Sequence, residues 1–343
     1  MFAALLEKLG RHHDLTADEA ADAMQEIMAG RAEDAQIGGL LIGLAMKGER
    51  PAEIVGLART MRQHAVRLST TYAGVFDTCG TGGDRSHTFN VSSVTALVLA
   101  ACDVRVAKHG NRSVSSRCGS ADLFEALGVN LAAVPAQVER CLREAGIAFF
   151  FAPTFHPSMR YAASTRRALG VRTAFNLLGP LTNPAGAARQ LVGVPRPEHT
   201  ELVARALGLL GSERAWVVHG ADGLDEISTT GYTKVSEWRE GIVKTFYLHP
   251  ADHGVPRCDL EELRGGDVSA NAAIARSVLD GHPGGARDVV ALNVAAALMV
   301  AGRVSALREG VALAQARIDS GEAKRRLARL IEVSHQAAVT SES

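Results

Sequence analysis

The chain has 343 residues, of which 47 % are hydrophobic and 22 % charged, as expected for a globular protein large enough for two domains. Its 37 basic and 37 acidic side chains cancel, so the net charge favours neither nucleic acid nor an anionic membrane as a partner. The five cysteines form no Cys-x-x-Cys pair, which argues against a disulfide framework or a zinc site and favours a cytoplasmic protein. No signal peptide or membrane span is predicted, because the N-terminus lacks a basic stretch and the apolar run Leu40–Met46 is short.

The first 68 residues predict helices only. Thr16 and Glu19 fit a capping box at the start of one helix. A second helix is predicted from about Glu33 to Met46, and a third begins with Pro51 in its first turn. Three short helices with little strand between them indicate a small bundle. Its apolar surface is suited either to internal packing, which is the simpler use, or to contact with another chain.

From residue 72 onward, short apolar strands alternate with helices. The predicted strands are Val75–Thr78, Val104–Ala107, Ile147–Phe151 and Ala215–His219. The predicted helices are Asn90–Ala101, Ala121–Leu127, Ala136–Glu144, His199–Leu210 and the stretch 287–334. Residues 232–249 predict antiparallel strands. This alternation is typical of an α/β domain with a largely parallel sheet.

A glycine-rich turn, Gly80–Asp84, follows the first predicted strand. Glycines at the carboxyl end of a strand let backbone N–H groups approach a phosphate, although the turn fits neither the Walker A nor the Rossmann pattern. The next helix opens with Asn90–Ser93, whose amides and hydroxyls suit an anion at a helix N-terminus. Each segment alone is equally consistent with a structural turn or an N-cap. Together they favour a phosphate site.

The segment Lys108–Ser116 follows the second predicted strand and is interpreted as a loop. It combines two cations, a histidine, an asparagine, a glycine and three serines, so that its side chains are almost all hydrogen-bond donors. Such a set suits a polyanion such as pyrophosphate. The alternative is a solvated basic loop, of which the Gly-Asn and Ser-Ser pairs are not typical.

Two further segments complete the candidate site. Asp225 and Glu226 follow a predicted strand and a glycine-rich turn, and such a pair holds Mg²⁺ together with substrate phosphates. An Asp-Glu pair is common on surfaces, so this prediction depends on the two phosphate-type segments in the same chain. The stretch from Phe151 to Pro184 carries histidine and arginine in apolar surroundings and suits an aromatic acid. The alternative there is a helix N-terminus followed by exposed arginines.

In order and spacing, these segments resemble those of the anthranilate phosphoribosyltransferases, class III phosphoribosyltransferases of tryptophan biosynthesis, over residues 1–335. The resemblance implies an α/β fold of the nucleoside phosphorylase type with a mixed, mostly parallel central sheet. A small N-terminal helical domain, residues 1–72, would be completed by helices from about 163–183, and residues 73–343 would form the α/β domain. It further implies a homodimer through the helical domain and an active site between the domains. Domain closure over the highly charged substrate is expected, with a hinge near residues 69–74.

The resemblance also implies roles for individual residues. Those expected to bind phosphoribosyl pyrophosphate are Gly80, Gly83, Asp84, Thr88, Asn90, Val91, Ser92, Ser93, Lys108, His109, Gly110, Asn111, Arg112, Ser113, Val114, Ser115, Ser116 and Ser120. Those expected to meet anthranilate are Gly80, Asn111, Arg166, His109 and His156, and those expected to serve two magnesium ions are Ser92, Asp225 and Glu226. Lys108 and Arg112 are the expected catalytic residues, because their charges stabilise the departing pyrophosphate.

Two departures from the family pattern and two alternatives bear on this hypothesis. Ser113 stands where glycine or alanine is usual, and Met159 stands where some relatives carry tyrosine. The first alternative is a pyrimidine nucleoside phosphorylase, which shares the architecture. The loop of those enzymes that corresponds to Lys108–Ser116 differs from this chain in the residues that follow Lys108-His109. A non-catalytic nucleic-acid-binding paralogue would have a basic groove and would lose the metal or anthranilate residues, whereas Asp225, Glu226, Asn111 and Arg166 are retained here. No pattern predicts association with an anthranilate synthase subunit.

Overall fold

The computed structural model describes residues 1–83, 86–113 and 117–336, and it begins with four helices. These are α1 (Phe2–Gly10), α2 (Ala17–Met28), α3 (Asp34–Lys47) and α4 (Pro51–Gln63). The capping box predicted at Thr16 and Glu19 is formed, with both reciprocal hydrogen bonds present. The prediction of three helices was wrong by one, because α1 spans only about two and a half turns and buries just Phe2, Leu5 and Leu9.

Helices in the remainder of the chain flank the strands or pack at their ends. They are α5 (Val91–Ala101), α6 (Ser120–Ala126), α7 (Pro135–Glu144), α8 (Ala152–Phe155), α9 (Ala163–Leu169), α10 (Ala174–Leu181), α11 (His199–Leu209), α12 (Val268–Leu279), α13 (Gly285–Ala301), α14 (Leu307–Asp319) and α15 (Glu322–His335). Short 3₁₀ turns occur at Pro157–Ala162, Pro250–His253 and Leu260–Leu263. In the described part of the chain, no helix has the length and hydropathy needed to span a membrane.

A single sheet of seven strands forms the centre of the molecule. The strands are β1 (Phe76–Gly80), β2 (Val106–Gly110), β3 (Ile147–Phe151), β4 (Arg189–Gly193), β5 (Arg214–Gly220), β6 (Thr233–Arg239) and β7 (Ile242–Leu248). Their spatial order is β3-β2-β1-β4-β5-β6-β7, with the first five parallel and the last two antiparallel. The predicted mixed, mostly parallel sheet is confirmed.

The central strand β4 was not among the predicted strands. Its only apolar side chains are Leu191 and Val192, too few to mark a buried strand. Gln190 is nevertheless almost fully buried, because its side-chain amide donates a hydrogen bond to the carbonyl oxygen of Pro180 at 2.7 Å. A local tertiary contact therefore permits a polar residue that the sequence pattern predicts to be exposed.

Two hydrophobic cores lie on opposite faces of this sheet. Along β4, Leu191 joins the core formed with α5 and α13, whereas the next residue, Val192, joins the core formed with α1–α4. Phe175 of α10 belongs to that second core, and Thr165 of α9 donates a hydrogen bond to Asp34 of α3. Residues 163–183 thus pack with the N-terminal helices as expected. The exact division of the chain at residue 72 stays a prediction.

The strand order determines where a ligand crevice opens. The chain runs from β1 outward through β2 and β3, then returns to the other side of β1 for β4 and β5. In open parallel sheets, ligands bind beyond the carboxyl ends of the strands at the point where the order reverses. Here that point lies between the ends of β1 and β4, where Gly80 pairs with Gly193.

Candidate functional site

Asp225 packs between the glycines that end β1 and β4. A Cβ added to Gly80 would lie 2.5 Å from Asp225 Oδ2, and one added to Gly193 would lie 1.5 Å from the Asp225 backbone oxygen. The backbone N–H of Gly82 donates a hydrogen bond to Asp225 Oδ2 at 3.1 Å. The acidic segment and the glycine-rich turn, separate in the sequence, are therefore in direct contact.

Glu226 contacts the first turn of α5 at the same place. Its Oε1 accepts a hydrogen bond from the Ser92 backbone N–H at 3.0 Å, and the Ser92 backbone oxygen in turn accepts one from the Thr78 hydroxyl at 2.8 Å. A carboxylate is favoured there because the helix N-terminus carries partial positive charge. All three residues predicted to serve a metal, Ser92, Asp225 and Glu226, thus lie together.

This donor set fits magnesium bound together with a substrate. Within the described residues, no group of three or more His, Cys, Asp or Glu side chains is arranged to hold a metal by itself. Mg²⁺ is usually held by one or two carboxylates, with the remaining positions filled by water and substrate phosphates. Asp225, Glu226 and the Ser92 hydroxyl supply oxygen ligands of that kind.

Lys108 lies inside β2 rather than in a loop, which corrects the sequence interpretation of Lys108–Ser116. Strand β2 continues through Gly110, because its residues pair with β3 as far as Phe151. The Lys108 side chain is 2 % exposed, and its Nζ donates a hydrogen bond to the Thr78 backbone oxygen at 2.5 Å and lies 3.4 Å from Ser92 Oγ. Its ammonium group is therefore held within the cluster formed by Ser92 and Glu226.

The buried carboxylate of Asp77 stabilises this arrangement. Burial raises the pKa of Asp77, and the nearby Lys108 charge partly offsets that effect. Asp77 Oδ1 accepts a hydrogen bond from the His109 N–H at 3.2 Å, and Oδ2 accepts one from Asn183 Nδ2 at 2.8 Å. The same Asn183 nitrogen donates to the Ala107 backbone oxygen at 2.8 Å. Asp77 and Asn183 thus fix the start of Lys108–Gly110 relative to β1.

His109 and His156 form a buried pair with little basicity. Their ring centroids are 5.2 Å apart, and His109 Nδ1 lies 3.1 Å from the Gly179 backbone oxygen. Burial lowers the pKa of His109 to about 3, with a contribution from His156, and lowers that of His156 to about 4. Both rings are neutral at physiological pH and too weakly basic to take a proton there. They can line a pocket for a flat organic substrate.

Arg166 lies on α9, on the helical side of the molecule. Its guanidinium carbon is 5.6 Å from the centre of the Phe175 ring, and burial lowers its pKa. Asn111, predicted to share a substrate with it, lies beyond β2 and is exposed. The Asn111 side-chain oxygen accepts a hydrogen bond from the Arg112 N–H at 2.8 Å.

Arg112, the second expected catalytic residue, is paired with carboxylates of α6. Its Nη1 lies 2.8 Å from Asp122 Oδ1 and 2.8 Å from Glu125 Oε2. The hydrogen bonds that Arg112 donates to Glu125, and next to Asp122, raise the pKa of Arg112. Its positive charge is therefore shared with two acids in this conformation.

The other predicted substrate residues are distributed around the same strand ends. Asn90 Nδ2 donates to the Cys118 backbone oxygen at 3.1 Å, and Thr88 forms an isolated bridge with Arg264. Gly110 approaches Ser120 so closely that a Cβ would lie 2.2 Å from the Ser120 hydroxyl oxygen. The remaining members are Gly83, Val91, Ser93 and Ser113, of which Val91 and Ser93 are buried in α5. Asp84, Val114, Ser115 and Ser116 lie outside the described residues.

Arg172 contacts the glycine-rich turn and was missed by the sequence analysis. It lies between α9 and α10, donates a hydrogen bond to the Gly82 backbone oxygen, and has its Nη2 3.5 Å from the Thr81 hydroxyl. A Cβ added to Gly83 would lie 2.0 Å from Arg172 Nη1. Nothing in the local sequence distinguishes this arginine from its neighbours, because its partners are backbone and hydroxyl oxygens about 90 residues away.

Comparison with known proteins identifies the family. Residues 3–65 match the helical bundle domain, and residues 73–324 the a/b domain, of a glycosyl transferase family. An anthranilate phosphoribosyltransferase from Moorella thermoacetica is 54 % identical over 331 residues, covering 96 % of this chain and 98 % of that protein. This chain belongs to the anthranilate phosphoribosyltransferase family. A second member, from Symbiobacterium thermophilum, is 53 % identical over 97 % of this chain and 98 % of its own length.

Solved structures of anthranilate phosphoribosyltransferases share the fold. The enzyme from Thermus thermophilus superposes with a TM-score of 0.91 at 45 % identity, covering 96 % of this chain and 99 % of that one. A Saccharomyces cerevisiae enzyme solved in complex with PRPP and Mg gives a TM-score of 0.89 at 27 % identity, covering 97 % of each chain. The predicted family, fold class and enzyme class are thereby confirmed, and the two alternative functions lose their support.

Proposed function

We propose that this chain transfers the phosphoribosyl group of phosphoribosyl pyrophosphate to the amine of anthranilate and releases pyrophosphate. The product is N-(5-phosphoribosyl)anthranilate, and the reaction is the second step of tryptophan biosynthesis from chorismate. The observation that carries the proposal is the convergence of Lys108, Ser92 and Glu226 with Asp225 at the ends of β1 and β4. A cation, two carboxylates and a helix N-terminus at one place suit a metal-bound pyrophosphate.

Magnesium is the proposed cofactor, with two ions per subunit. Ser92, Asp225 and Glu226 would hold them, since their oxygens lie together beside the glycine-rich turn. When bound, magnesium neutralises negative charge on pyrophosphate and so makes it a better leaving group. A Saccharomyces cerevisiae relative was solved with PRPP and Mg, which supports the same assignment here.

Protein side chains contribute mainly by positioning and by electrostatics. The buried ammonium group of Lys108 offers a fixed charge at low exposure, which stabilises negative charge more effectively than a solvated one. Arg112 would contribute when its guanidinium group turns partly from Asp122 and Glu125 of α6 toward the pyrophosphate. Orienting the amine against C1 of the ribose supplies several kcal/mol more, on the order of 7–11 at the limit. No general base is proposed, because both buried histidines are too weakly basic.

The substrate residues divide into two proposed sets. Phosphoribosyl pyrophosphate would be bound by the glycine-rich turn, the start of α5 and the segment Lys108–Ser116 with Ser120. Anthranilate would be bound by Gly80, Asn111 and Arg166, with His109 and His156 lining its approach. A structure of a Saccharomyces cerevisiae relative in complex with 4-fluoroanthranilate supports an aromatic acid as the second substrate.

We further propose a cytoplasmic homodimer joined through the helical domain. Met46, at the end of α3, is 75 % exposed and offers apolar surface on that domain. All five cysteines are free, and four of them are buried, as suits a reducing compartment. Light scattering coupled to gel filtration tests the proposed dimer directly.

The activity is tested by following the loss of anthranilate fluorescence on mixing with phosphoribosyl pyrophosphate and Mg²⁺. Turnover should occur with magnesium and stop on addition of EDTA. A parallel assay for phosphate-dependent cleavage of a pyrimidine nucleoside should show none. Absence of anthranilate turnover by protein with a normal circular dichroism spectrum would overturn the proposal.

A further inference from the structure

Asn111–Ser113, the outgoing arm, follows β2 and contacts Gly119–Asp122, the returning arm, at the start of α6. We call the neck Asn111–Ser113 together with Gly119–Asp122. Gly119 is pressed against the outgoing arm, since a Cβ there would lie 2.3 Å from the Ser113 nitrogen and 2.7 Å from the Asn111 oxygen. The Asn111 backbone oxygen also accepts a hydrogen bond from the Ala121 N–H at 3.2 Å. Residues 111–113 and 119–121 are therefore in direct contact.

A single carboxylate, that of Asp122, joins both arms of the neck. Its Oδ2 accepts hydrogen bonds from the Gly119 N–H at 2.8 Å and from the Ser113 N–H at 3.3 Å. Its Oδ1 accepts one from Arg112 Nη1 at 2.8 Å. Burial alone would raise the pKa of Asp122, but Arg112 and the two amides hold it below its ordinary value. The carboxylate is therefore charged at physiological pH and fully engaged.

Helix capping explains only part of this arrangement. Asp122 occupies the third position of α6, where an acidic side chain commonly accepts a hydrogen bond from the N-cap residue, here Gly119. The hydrogen bonds from Ser113 and Arg112 lie outside the helix and add nothing to its cap. They instead fix the outgoing arm, which begins immediately after Lys108–Gly110.

Glu125, one turn further along α6, provides a natural comparison. Glu125 accepts hydrogen bonds from Arg112 Nη1 at 2.8 Å and from Arg112 Nη2 at 3.1 Å. Among the residues that the structure describes, it accepts none from the backbone of either arm. Its side chain is 54 % exposed, whereas that of Asp122 is 18 % exposed. The two acids share the same cation and differ in whether they hold the neck.

We propose that Asp122 is a positioning residue that holds the two arms of the neck together and thereby fixes Asn111–Ser113 for contact with the phosphates of phosphoribosyl pyrophosphate. This inference rests on the proposed function. An acid so close to a polyanion site would repel the substrate if its charge were unbalanced. The two amides, together with the part of the Arg112 charge that stays on Asp122, balance that charge, so the carboxylate can organise the donors without opposing the ligand.

The test compares Asp122→Asn with the matched variant Glu125→Gln. Asp122→Asn should raise the KM for phosphoribosyl pyrophosphate about tenfold or more, because it weakens three charge-assisted hydrogen bonds. The KM for anthranilate should change by less than about twofold, and the thermal midpoint should stay close to that of the parent. Glu125→Gln should raise neither KM, because the Glu125 side chain is exposed and contacts the neck only through Arg112.

Two further measurements keep the inference falsifiable. Gly119→Ala disturbs the neck by steric conflict without removing any charge, and it should give the same selective rise in KM. Calorimetric binding of Mg²⁺-pyrophosphate should weaken in Asp122→Asn and Gly119→Ala even if anthranilate turnover is never observed. Equal effects on both substrates, or an equal effect of Glu125→Gln, would overturn the proposed role.

Discussion

At the scale of single residues, Asp225 is confined by close backbone contacts on two sides. The neighbouring positions on β1 and β4 are glycines that pair with each other, and neither leaves room for a Cβ beside the carboxylate segment. Neither residue has the positive φ that usually explains a glycine. Their role is steric, so even a single methyl group at either position would press directly on Asp225.

Gly80→Ala should displace the Asp225 carboxylate and lower kcat/KM by roughly a hundredfold, since a misplacement of about 1 Å costs that much. The Mg²⁺ concentration giving half-maximal rate should rise in the same variant. Gly231→Ala is the matched control, because a Cβ there meets no atom within 4 Å. A Gly80→Ala enzyme with the parent's magnesium dependence would show that Asp225 does not serve the metal.

Lys108 and Arg166 should affect different substrates. Lys108→Met should raise the KM for phosphoribosyl pyrophosphate and, because the side chain is buried, lower the free energy of unfolding by about 1–3 kcal/mol. Arg166→Ala should raise mainly the KM for anthranilate, whereas Arg167→Ala, at the exposed neighbouring position, should change neither. Steady-state kinetics and urea unfolding measure these effects, and equal changes in both KM values would contradict the division.

The buried histidines make stability depend on pH. In the folded protein, burial holds the pKa of His109 at about 3 and that of His156 at about 4, below the ordinary value of about 6.5 in an unfolded chain. The unfolded state therefore binds more protons between these values, and this contribution to stability is complete above about pH 6.5 and falls as the pH is lowered toward 4.

Urea unfolding at pH 7.5, 6.0 and 5.0 should show that decline in the parent protein. His156→Gln should show a shallower decline of the free energy of unfolding with falling pH. The difference between the parent and variant curves then gives the contribution of His156 apart from that of the carboxylates. Superimposable slopes would mean that His156 is already protonated, or not buried, in the folded state.

At the scale of secondary-structure elements, a hydrogen bond from Arg172 links the helical side of the molecule to the glycine-rich turn. The guanidinium group reaches Gly82 and Thr81 from the segment between α9 and α10. A planar group with several donors can contact both at once, which the ammonium of lysine does less well. The turn is thereby held from the helical side as well as by Asp225.

Arg172→Lys should loosen the glycine-rich turn while retaining the charge. Amide hydrogen exchange of the peptide covering residues 80–83 should become about tenfold faster, because a charge-assisted hydrogen bond is lost. Arg167→Lys, on the same side of the molecule, serves as the control. Unchanged exchange in Arg172→Lys would indicate that Asp225 alone fixes the turn.

Elements with a continuous apolar pattern were predictable from the sequence. Elements whose polar residues are buried against distant partners in the fold were not. Ile147–Phe151 is apolar throughout, and its bounds were predicted correctly. In contrast, Lys108 was assigned to a loop, because a charged residue in a buried strand is expected only when a partner balances it. That partner environment includes Asp77 and the Thr78 oxygen, about 30 residues away.

The same limit applies to the candidate site. The glycine-rich turn, Lys108 and the Asp225–Glu226 pair were identified from residue type and spacing, and the structure brings them together. Arg172 and Asp122 escaped notice, since each acts through backbone groups that carry no signature in the sequence. Residue types predict which groups do chemistry more readily than which groups hold them in place.

At the scale of the whole molecule, the segment predicted as a hinge is anchored to the α/β part. The Ser69 N–H and hydroxyl both donate to Glu139 Oε2, at 2.9 and 2.7 Å, and the Tyr72 hydroxyl donates to Oε1 at 3.3 Å. On the helical side of this anchor, the Val66 N–H donates to the Phe155 oxygen at 2.8 Å. Val66, Leu68 and Tyr72 also pack on the core that contains Phe155, so we expect any closing motion of the helical domain to bend the chain on the N-terminal side of Val66.

Glu139→Gln should weaken this anchor and make the linker more accessible. Limited proteolysis within residues 64–74 should become about fivefold faster, as expected for a loss of about 1 kcal/mol in local stability. Glu144→Gln is the control, because that acid of α7 pairs with arginines instead. Equal cleavage rates in the two variants would place the hinge elsewhere.

The pairing of Asp225 and Glu226 with the turn and α5 also affects how the protein reaches its active form. The hydrogen bonds from Gly82 and Ser92 join residues 143 and 134 positions apart in the chain. Contacts of such separation form late, because long stretches of chain must be ordered before the ends can meet. A newly synthesised or refolding chain is therefore expected to form its helices before it can bind substrate. Partly folded forms should have no transferase activity.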